Sequence, residues 1–344
     1  MAKTLTIVGG GLAGLTLGIG LRQRGVPVTL WEAGRYPRHR VCGEFISGEG
    51  QNTLARLGLW HGIRQAGAGP AASAAFFSST TRVTTRPLPA AALCISRYVL
   101  DQWLADEFIR LGGQLRVGTR WSEGFGSGVV RASGRRVQPQ VDGWRWFGLK
   151  VHARGVVMDA DLELHLVPAG YVGLCRLAAG EVNICGLFRS RTAVPDLARS
   201  WPDWLGGPPD SVLHSRLAGA QLEEESFCSV AGLCLRAAPA PPLDECCVGD
   251  AVTMIPPVTG NGMSMAFESA ELAIAPLVQF SAGSLSWGQA QQQIASACQH
   301  RFARRLRWAG YLQRGLFHPT VCSALLDLTS RSAWIWQGLF NRTR

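Results

Sequence analysis

The glycines near the N-terminus are the first residues whose spacing points to chemistry. Gly9, Gly11 and Gly14 form a Gly-x-Gly-x-x-Gly run between the apolar stretch 4–8 and the apolar run 12–21. The first glycine permits a tight turn, the second lets backbone approach a pyrophosphate, and the third lets a helix pack against a strand. Because a helix N-terminus presents free N–H groups and partial positive charge, this segment predicts a phosphate site.

A carboxylate follows at the spacing that a dinucleotide site requires. Glu32 ends a second apolar stretch, 26–30, and lies 18 residues after Gly14. An acid at this place accepts hydrogen bonds from a ribose diol and disfavours a 2′-phosphate. Strand, glycine run, helix, strand and acid in this order are far more specific than a glycine run alone.

A second glycine-rich segment lies much later in the chain. Gly249 and Asp250 follow a short apolar stretch, and Gly260, Asn261 and Gly262 precede the helix-like stretch 264–277. The Asp250 carboxylate suits a polyol hydroxyl, and the free N–H groups of the helix suit an anion or an electron-rich ring edge. A single ligand that touches both glycine segments must be long, and FAD meets that description.

Two further segments, Arg40-Val-Cys-Gly-Glu44 and Ser96-Arg-Tyr-Val-Leu-Asp101, complete a family pattern. With the glycine segments they resemble the FAD-dependent oxidoreductases of the p-hydroxybenzoate hydroxylase fold, within the geranylgeranyl reductase and flavin monooxygenase-like branch. The resemblance implies noncovalent FAD, NAD(P)H as a candidate reductant, and Arg97 near the FAD phosphates or ribityl chain. It places Cys42 and Glu44 near the flavin ring, as catalytic candidates. The predicted cofactor-binding residues are Gly9, Gly11, Ala13, Gly14, Glu32, Arg40, Arg97, Gly249, Asp250, Gly260, Asn261, Gly262 and Met263.

The chain departs from this family at one motif. The family usually has Ala-Asp-Gly after a small meander, whereas this chain has Ala132-Ser133-Gly134. The missing acid normally supports contacts to flavin and pyridine nucleotide, so we expect NADPH alone to reduce the flavin slowly. The tryptophan-rich motif of halogenases is not visible, which disfavours halogenation.

The region between the glycine segments alternates apolar and polar residues over 144–188, with turn residues between the runs. This pattern predicts an antiparallel sheet. In the family such a sheet roofs the flavin, so Trp146, His152 and Tyr171, together with Pro256, are candidates for a substrate pocket. The alternative is that the sheet residues are ordinary cross-strand pairs on one face.

The elements predict an α/β fold with an α+β insert: a doubly wound, Rossmann-like FAD-binding domain, an antiparallel-sheet substrate domain and a helical C-terminal region. With 344 residues, 47% of them hydrophobic, the chain can fill about two domain cores. We expect the FAD-binding domain to comprise 1–75, 94–136 and 244–280, the substrate domain 76–93 and 137–243, and the helical region 281–344.

Composition excludes several classes of protein. No run reaches the roughly 18 apolar residues that a membrane-spanning helix needs, and the 10 cysteines lack the C-x-x-C spacing of a zinc ribbon. We expect reduced thiols, a cytoplasmic location, no metal site and no nucleic-acid partner. We also expect a monomer.

The last 47 residues, 298–344, form a separate electrostatic unit. They contain eight Arg and one acid, Asp327, within a net charge of +10 for the whole chain. Phe302, Leu306, Ala309 and Leu312 recur at helical spacing. One interpretation is a helix that closes the substrate domain, and the other is peripheral contact with a membrane or a lipid-bearing carrier.

The sequence therefore predicts an FAD-dependent monooxygenase. By resemblance, it would hydroxylate a small apolar substrate, aromatic or of polyketide type, through a flavin C4a-hydroperoxide. The Cys42-Gly43-Glu44 loop favours an alternative, reduction of double bonds in a prenyl lipid. A third hypothesis, suggested by Ser133, is a noncatalytic FAD-binding scaffold.

Overall fold

A computed structural model describes residues 2–78, 82–135, 143–233, 235 and 245–344. The described residues form strands β1 (Leu5–Val8), β2 (Val28–Glu32), β3 (Phe45–Ile46), β4 (Gly69–Phe77), β5 (Arg82–Cys94), β6 (Gln114–Val117), β7 (Val129–Arg131), β8 (Arg145–Arg154), β9 (Leu162–Val167), β10 (Gly170–Arg176), β11 (Val182–Ser190), β12 (Gln221–Leu233) and β13 (Cys246–Cys247). The helices are α1 (Leu12–Arg22), α2 (Glu49–Arg56), α3 (Trp60–Gln65), α4 (Arg97–Arg110), α5 (Leu197–Gly206), α6 (Val212–Leu217), α7 (Gly262–Ala282), α8 (Trp287–Leu316), α9 (Pro319–Arg331) and α10 (Ala333–Arg342).

A five-stranded parallel sheet carries both glycine segments. Its strand order is β13-β7-β1-β2-β6, and β1 pairs with β2 in the register Leu5↔Val28. The apolar side chains of β1 share one core with residues of α1 and α7. They are buried because helices cover the faces of a parallel sheet. Because the strands are parallel, the glycine run after β1, Glu32 at the end of β2 and Gly249 after β13 meet at one edge of the sheet.

An eight-stranded, mostly antiparallel sheet forms the second layer, in the order β12-β8-β11-β10-β9-β4-β5-β3. On β8, Phe147, Leu149 and Val151 pack in one core with Trp201 and Leu205 of α5. Since side chains alternate along a strand, Gly148, Lys150 and His152 of β8 lie on the opposite face, toward the nucleotide-binding sheet.

The C-terminal helices cover the end of the space between the two sheets. Arg305 of α8 binds Glu268 of α7 at 2.6 Å, and the Trp336 indole N–H of α10 donates to the Pro87 carbonyl at 3.1 Å. At the end of α10 the chain reaches the second glycine segment, where Asn261 donates to the Thr343 carbonyl and Arg344 donates to the Thr259 carbonyl. No helix in the described part of the chain is both long and apolar enough to span a membrane.

The predicted fold class is confirmed. The predicted division after residue 75 falls inside β4, and β3 also belongs to the eight-stranded sheet. Strand pairing over long sequence distances, which a local pattern cannot reveal, decides this membership. The predicted boundaries at 136/137 and 243/244 lie outside the described residues.

Candidate active site

One cavity of about 1310 Å³ lies between the two sheets and the C-terminal helices. Its wall includes the first glycine segment, the second glycine segment, the inner face of the eight-stranded sheet and apolar side chains of α8–α10. Pockets for drug-sized ligands typically measure roughly 300–1,000 Å³. The cavity therefore has room for a dinucleotide and a second molecule.

The first glycine segment presents bare backbone to this cavity. Gly11 precedes the first residue of α1, has no side-chain cap, and has no atom within 4 Å of the place where a Cβ would stand. Gly9 has a φ of +112° and packs against the backbone of Ala132. Ala13 also lines the cavity, whereas Gly14 packs against the Gly9 carbonyl and does not. The N–H groups at the start of α1 are thus open to a phosphate.

Glu32 is a buried carboxylate at the rim of this site. It accepts hydrogen bonds from the Gly10 N–H at 2.8 Å and the Gly34 N–H at 2.7 Å, and it pairs with Arg38 at 2.7 Å. Burial raises the pKa of Glu32, but the Gly34 N–H, Arg38 and the Gly10 N–H outweigh burial and bring the pKa below its usual value. Glu32 is therefore ionised at neutral pH.

Three guanidinium groups surround two carboxylates beside the glycine segment. Arg97 binds the fully buried Asp101 through two bonds of 2.7 and 2.8 Å, and Arg40 lies 3.7 Å from Asp101. With Arg38 and Glu32 the group has a net charge of +1. Arg38, Arg40 and Arg97 all line the cavity. Their net positive charge beside the open N–H groups of α1 suits a bound anion such as a pyrophosphate.

Asp250 fits the polyol part of a long cofactor. Its carboxylate faces the cavity and has no hydrogen bond or ion pair within the described ranges. Desolvation by the surrounding protein raises the pKa of Asp250 to about 6, although Arg97 and Arg135 oppose this rise. A hydroxyl donor in the cavity would satisfy this carboxylate.

The start of α7 completes the cofactor end of the cavity. Gly260, Gly262 and Met263 line the wall, and Gly260 has a φ of +64°. The side chain of Asn261 instead points to the Thr343 carbonyl, so Asn261 ties down the chain end and is not part of the wall.

Cys42 and Glu44 both line the cavity, next to the eight-stranded sheet. Glu44 is fully buried with a φ of +59°, which is rare for a residue other than glycine. Its carboxylate accepts a hydrogen bond from the backbone N–H of Arg97 at 2.8 Å and contacts the His152 ring at 2.6 Å. Burial raises the pKa of the Cys42 thiol, so the thiol is protonated at neutral pH and is poorly suited to act as a thiolate.

The predicted pocket residues separate into two groups. Tyr171 lines the cavity, and its buried hydroxyl has no hydrogen-bond partner among the residues described. Trp146 packs edge-on against Phe317, with ring centres 4.8 Å apart, and is not in the wall. His152 lies behind the wall, and Pro256 is also outside it. Strand alternation alone could not decide which of these side chains reach the cavity.

Sequence reasoning missed the contribution of the C-terminal helices to the wall. The apolar side chains from these helices are Leu312, Leu316, Leu325, Leu326, Trp336 and Leu339. Their signal was the amphipathic pattern after residue 298, which predicted a helix that closes the substrate domain but not that its side chains form part of the cavity wall. Lys150, fully buried behind the wall, was also missed as part of the site.

Comparison with known proteins agrees with this geometry. Residues 1–141 match a family described as FAD binding domain. The p-nitrophenol 4-monooxygenase PnpA from Pseudomonas putida has a similar structure, with a TM-score of 0.76 at 13% identity over 99% of this chain and 98% of that one. PqsL from Pseudomonas aeruginosa, in complex with 2-aminobenzoylacetate, gives a TM-score of 0.72 at 14% identity over 95% and 99%.

A halogenating enzyme has the same fold. The flavin-dependent brominase Bmp2, a triple mutant, gives a TM-score of 0.71 at 18% identity over 99% of this chain and 98% of that chain. No curated protein sequence matched. At these identities the solved structures establish the fold, which is the predicted p-hydroxybenzoate hydroxylase fold of flavin-dependent monooxygenases and halogenases. The matched domain confirms the FAD prediction.

Proposed function

We propose that this protein is an FAD-dependent monooxygenase that hydroxylates a small apolar substrate, aromatic or of polyketide type. The observation that carries the proposal is the continuity of the cavity. Bare glycine backbone, three arginines and Asp250 line one end, and the apolar face of the sheet and α8–α10 line the other. A cofactor and an apolar molecule can therefore meet in one continuous space.

The chain's own residues have binding and orienting roles in this proposal. Arg38, Arg40 and the start of α1 hold the pyrophosphate, Asp250 accepts a hydroxyl of the ribityl chain, and α8–α10 exclude water. Bound FAD, once reduced, supplies the activation of O₂. Tyr171 is part of the cavity wall, and its hydroxyl is buried without a partner in the described protein. Once the ring turns toward the cavity, this hydroxyl orients the substrate through one hydrogen bond.

Oxygen-isotope incorporation tests the proposal. Flavin in the purified holoprotein is reduced and mixed with ¹⁸O₂ and a panel of phenols, anthranilates and polyketide-like aromatics. A hydroxylated product that carries one ¹⁸O supports the proposal. Anaerobic saturation of a prenyl double bond would identify a reductase instead, and a colourless protein that takes up no FAD would contradict both. Reduction by NADPH is measured with and without substrate, and we expect it to be slow without substrate.

We also propose that the protein acts in the cytoplasm, at an anionic lipid surface. The nine cysteines in the described part of the chain are free thiols, which suits a reducing compartment. Tyr311, Leu328 and Trp334 are exposed on α8–α10, and most arginines of 298–344 are exposed beside them. Exposed aromatic and aliphatic residues with arginines are typical of surfaces that bind acidic membranes.

A further inference from the structure

A line of titratable side chains lies behind the inner face of the eight-stranded sheet. Lys150 and His152, two residues apart on β8, point to the same side, and Glu44 reaches them from the segment before β3. All three are buried. Buried charged groups are rare unless they are paired, and replacing such a set by apolar residues is often neutral or stabilising. Stability of the sheet therefore does not explain why they are here.

Contacts between neighbouring side chains connect these groups in one continuous line across the sheet. Glu181 Oε1 lies 3.1 Å from His152 Nδ1, and His152 Nε2 lies 2.6 Å from Glu44 Oε2. Lys150 Nζ lies 3.8 Å from Glu44 Oε1 and 2.9 Å from His39 Nδ1. Apart from the lysine–glutamate separation, each distance is that of a hydrogen bond.

The charges in this line are balanced. Because carboxylates accept hydrogen bonds at both ring nitrogens of His152, both nitrogens donate and the ring is an imidazolium. Burial and Lys150 lower the pKa of His152, but Glu181 and Glu44 outweigh them and raise it above its usual value. Burial and Lys150 lower the pKa of His39 to about 4, so His39 is neutral and accepts from Lys150. Two cations, Lys150 and His152, thus match two carboxylates, Glu44 and Glu181.

The two ends of the line reach different surroundings. His39 is half-buried, stacks on Tyr98 and lines the cavity. The side chain of Glu181, before β11, is 20% exposed to solvent. Glu223 and Arg154 lie beside it, and Arg154 pairs with Glu223 at 2.8 Å. Glu223 also contacts Glu181, so Glu181 links His152 to a solvent-facing ion pair.

We propose that Glu181, His152, Glu44, Lys150 and His39 form a proton path between solvent and the cavity. His152 gives its Nε2 proton to Glu44 and keeps the proton on Nδ1. A half-turn of the ring then points this N–H at Glu44 and the bare nitrogen at Glu181, which takes a proton from hydronium in the solvent and passes it to that nitrogen. Lys150 gives a proton to Nδ1 of His39 and takes one from Glu44, once a rotation of its terminal torsion closes the 3.8 Å gap. His39 releases its Nε2 proton to the cavity, and a half-turn of its ring restores a bare nitrogen facing Lys150, so one proton enters and one leaves in each passage. This inference rests on the proposed oxidoreductase function, because a path is needed only where a reaction consumes protons.

Glu181→Gln interrupts the path with little change in shape. A glutamine still accepts a hydrogen bond from His152 but cannot carry a proton. The matched control is Glu224→Gln, which removes an exposed carboxylate of β12. Both variants are compared with the wild-type holoprotein.

The first measurement does not depend on turnover. NMR of ¹⁵N-histidine-labelled holoprotein reports the exchange of the His152 ring N–H protons with water, and His152→Gln assigns the signals. We expect exchange to be at least about tenfold slower in Glu181→Gln, since a positioned acid–base group contributes roughly 10²–10⁴-fold to a proton transfer, and unchanged in Glu224→Gln. Equal exchange rates in Glu181→Gln and the wild type would overturn the path, even if the protein proves not to be a monooxygenase.

The second measurement uses the reaction. In Glu181→Gln we expect turnover to fall about tenfold and to recover when formate or imidazole is added as a diffusible proton carrier. If Glu181→Gln turns over as fast as the wild type, the path is contradicted but the monooxygenase proposal remains intact. Absence of flavin-dependent oxygen chemistry in the wild type would contradict the proposed function, and the NMR result would then decide the path alone.

Discussion

At the residue scale, two glycines of the same motif have opposite surroundings. A Cβ on Gly11 would meet no atom within 4 Å, whereas a Cβ on Gly14 would collide with the Gly9 carbonyl. We therefore expect Gly11→Val to fold normally but lose FAD, because the valine occupies the place of the pyrophosphate. Gly14→Ala should lower the free energy of unfolding even without FAD. Flavin absorbance per protein and thermal unfolding of the apoprotein separate the two effects. Full flavin content in folded Gly11→Val would place the phosphate site elsewhere.

The raised pKa of Asp250 predicts that FAD binding depends on pH. In the free protein its pKa is about 6, and a hydroxyl of FAD would favour the charged carboxylate, so binding must lower this pKa. The affinity for FAD is then fully present above pH 6 and falls as the pH drops below 6. We expect Asp250→Asn to weaken FAD binding by about 1–3 kcal/mol at pH 8 and to remove the pH dependence near 6. Fluorescence titration between pH 5 and 8 measures both, and an unchanged Kd in the variant would mean that Asp250 does not contact FAD.

The Tyr171 hydroxyl is expected to affect the stability of the protein and its binding of substrate in opposite directions. Its side chain is 5% exposed, and within the described residues its hydroxyl has no partner, which costs stability in the substrate-free protein. We expect Tyr171→Phe to leave thermal stability equal or higher, by up to about 1 kcal/mol, and to raise KM for substrates with a hydrogen-bonding group about fivefold or more. Tyr311→Phe, on a residue of α8 that is 60% exposed, is the control. An unchanged KM in Tyr171→Phe would remove Tyr171 from substrate recognition.

At the scale of elements, α10 holds the cover of the cavity against the eight-stranded sheet. Trp336 donates to the Pro87 carbonyl at 3.1 Å and packs edge-on against Phe76, with ring centres 5.3 Å apart. Trp336→Ala removes a hydrogen bond of about 1 kcal/mol and an aromatic contact of about 0.5–1.5 kcal/mol. We expect water to enter the cavity and the fraction of O₂ released as hydrogen peroxide to rise.

A peroxide assay against product formation measures this uncoupling. Trp334→Ala, whose side chain is 85% exposed on the same helix, is the matched control and should behave like the wild type. If both variants stay fully coupled, α10 does not exclude water from the reaction.

The elements that sequence reasoning predicted well are those specified by neighbouring residues. The unit β1–α1–β2 carries its own apolar runs, glycine turns and terminal acid within the first 32 residues. The role of His152 depends on Glu44, 108 positions away, and on a β8–β11 register that pairs His152 with Asn183. The sequence indicated a sheet there, but only the pairing shows that His152 lies behind the wall and not in it.

At the scale of the whole molecule, charge and apolar exposure coincide on the C-terminal helices. Each Arg near an acidic membrane contributes about 1 kcal/mol, and salt screens this attraction. We expect the holoprotein to cosediment with phosphatidylserine vesicles at low ionic strength and to be released at about 0.5 M NaCl. Trp334→Ser should reduce binding, whereas Val157→Ser, at a residue after β8 that is 67% exposed, should not. Equal binding to neutral and acidic vesicles, or none to either, would contradict an acidic lipid partner.

The closure of the cavity has a consequence for the order of folding during synthesis. Thr259 and Asn261 flank the cofactor end of the cavity, and their partners are Arg344 and Thr343. On the ribosome, β1, β2 and β6 can emerge long before β13 and α7, and Thr343 follows about 80 residues later still. Until then the groove between the two sheets has no contribution from α10. We therefore expect α10 to close the cavity last, after both sheets have been synthesised.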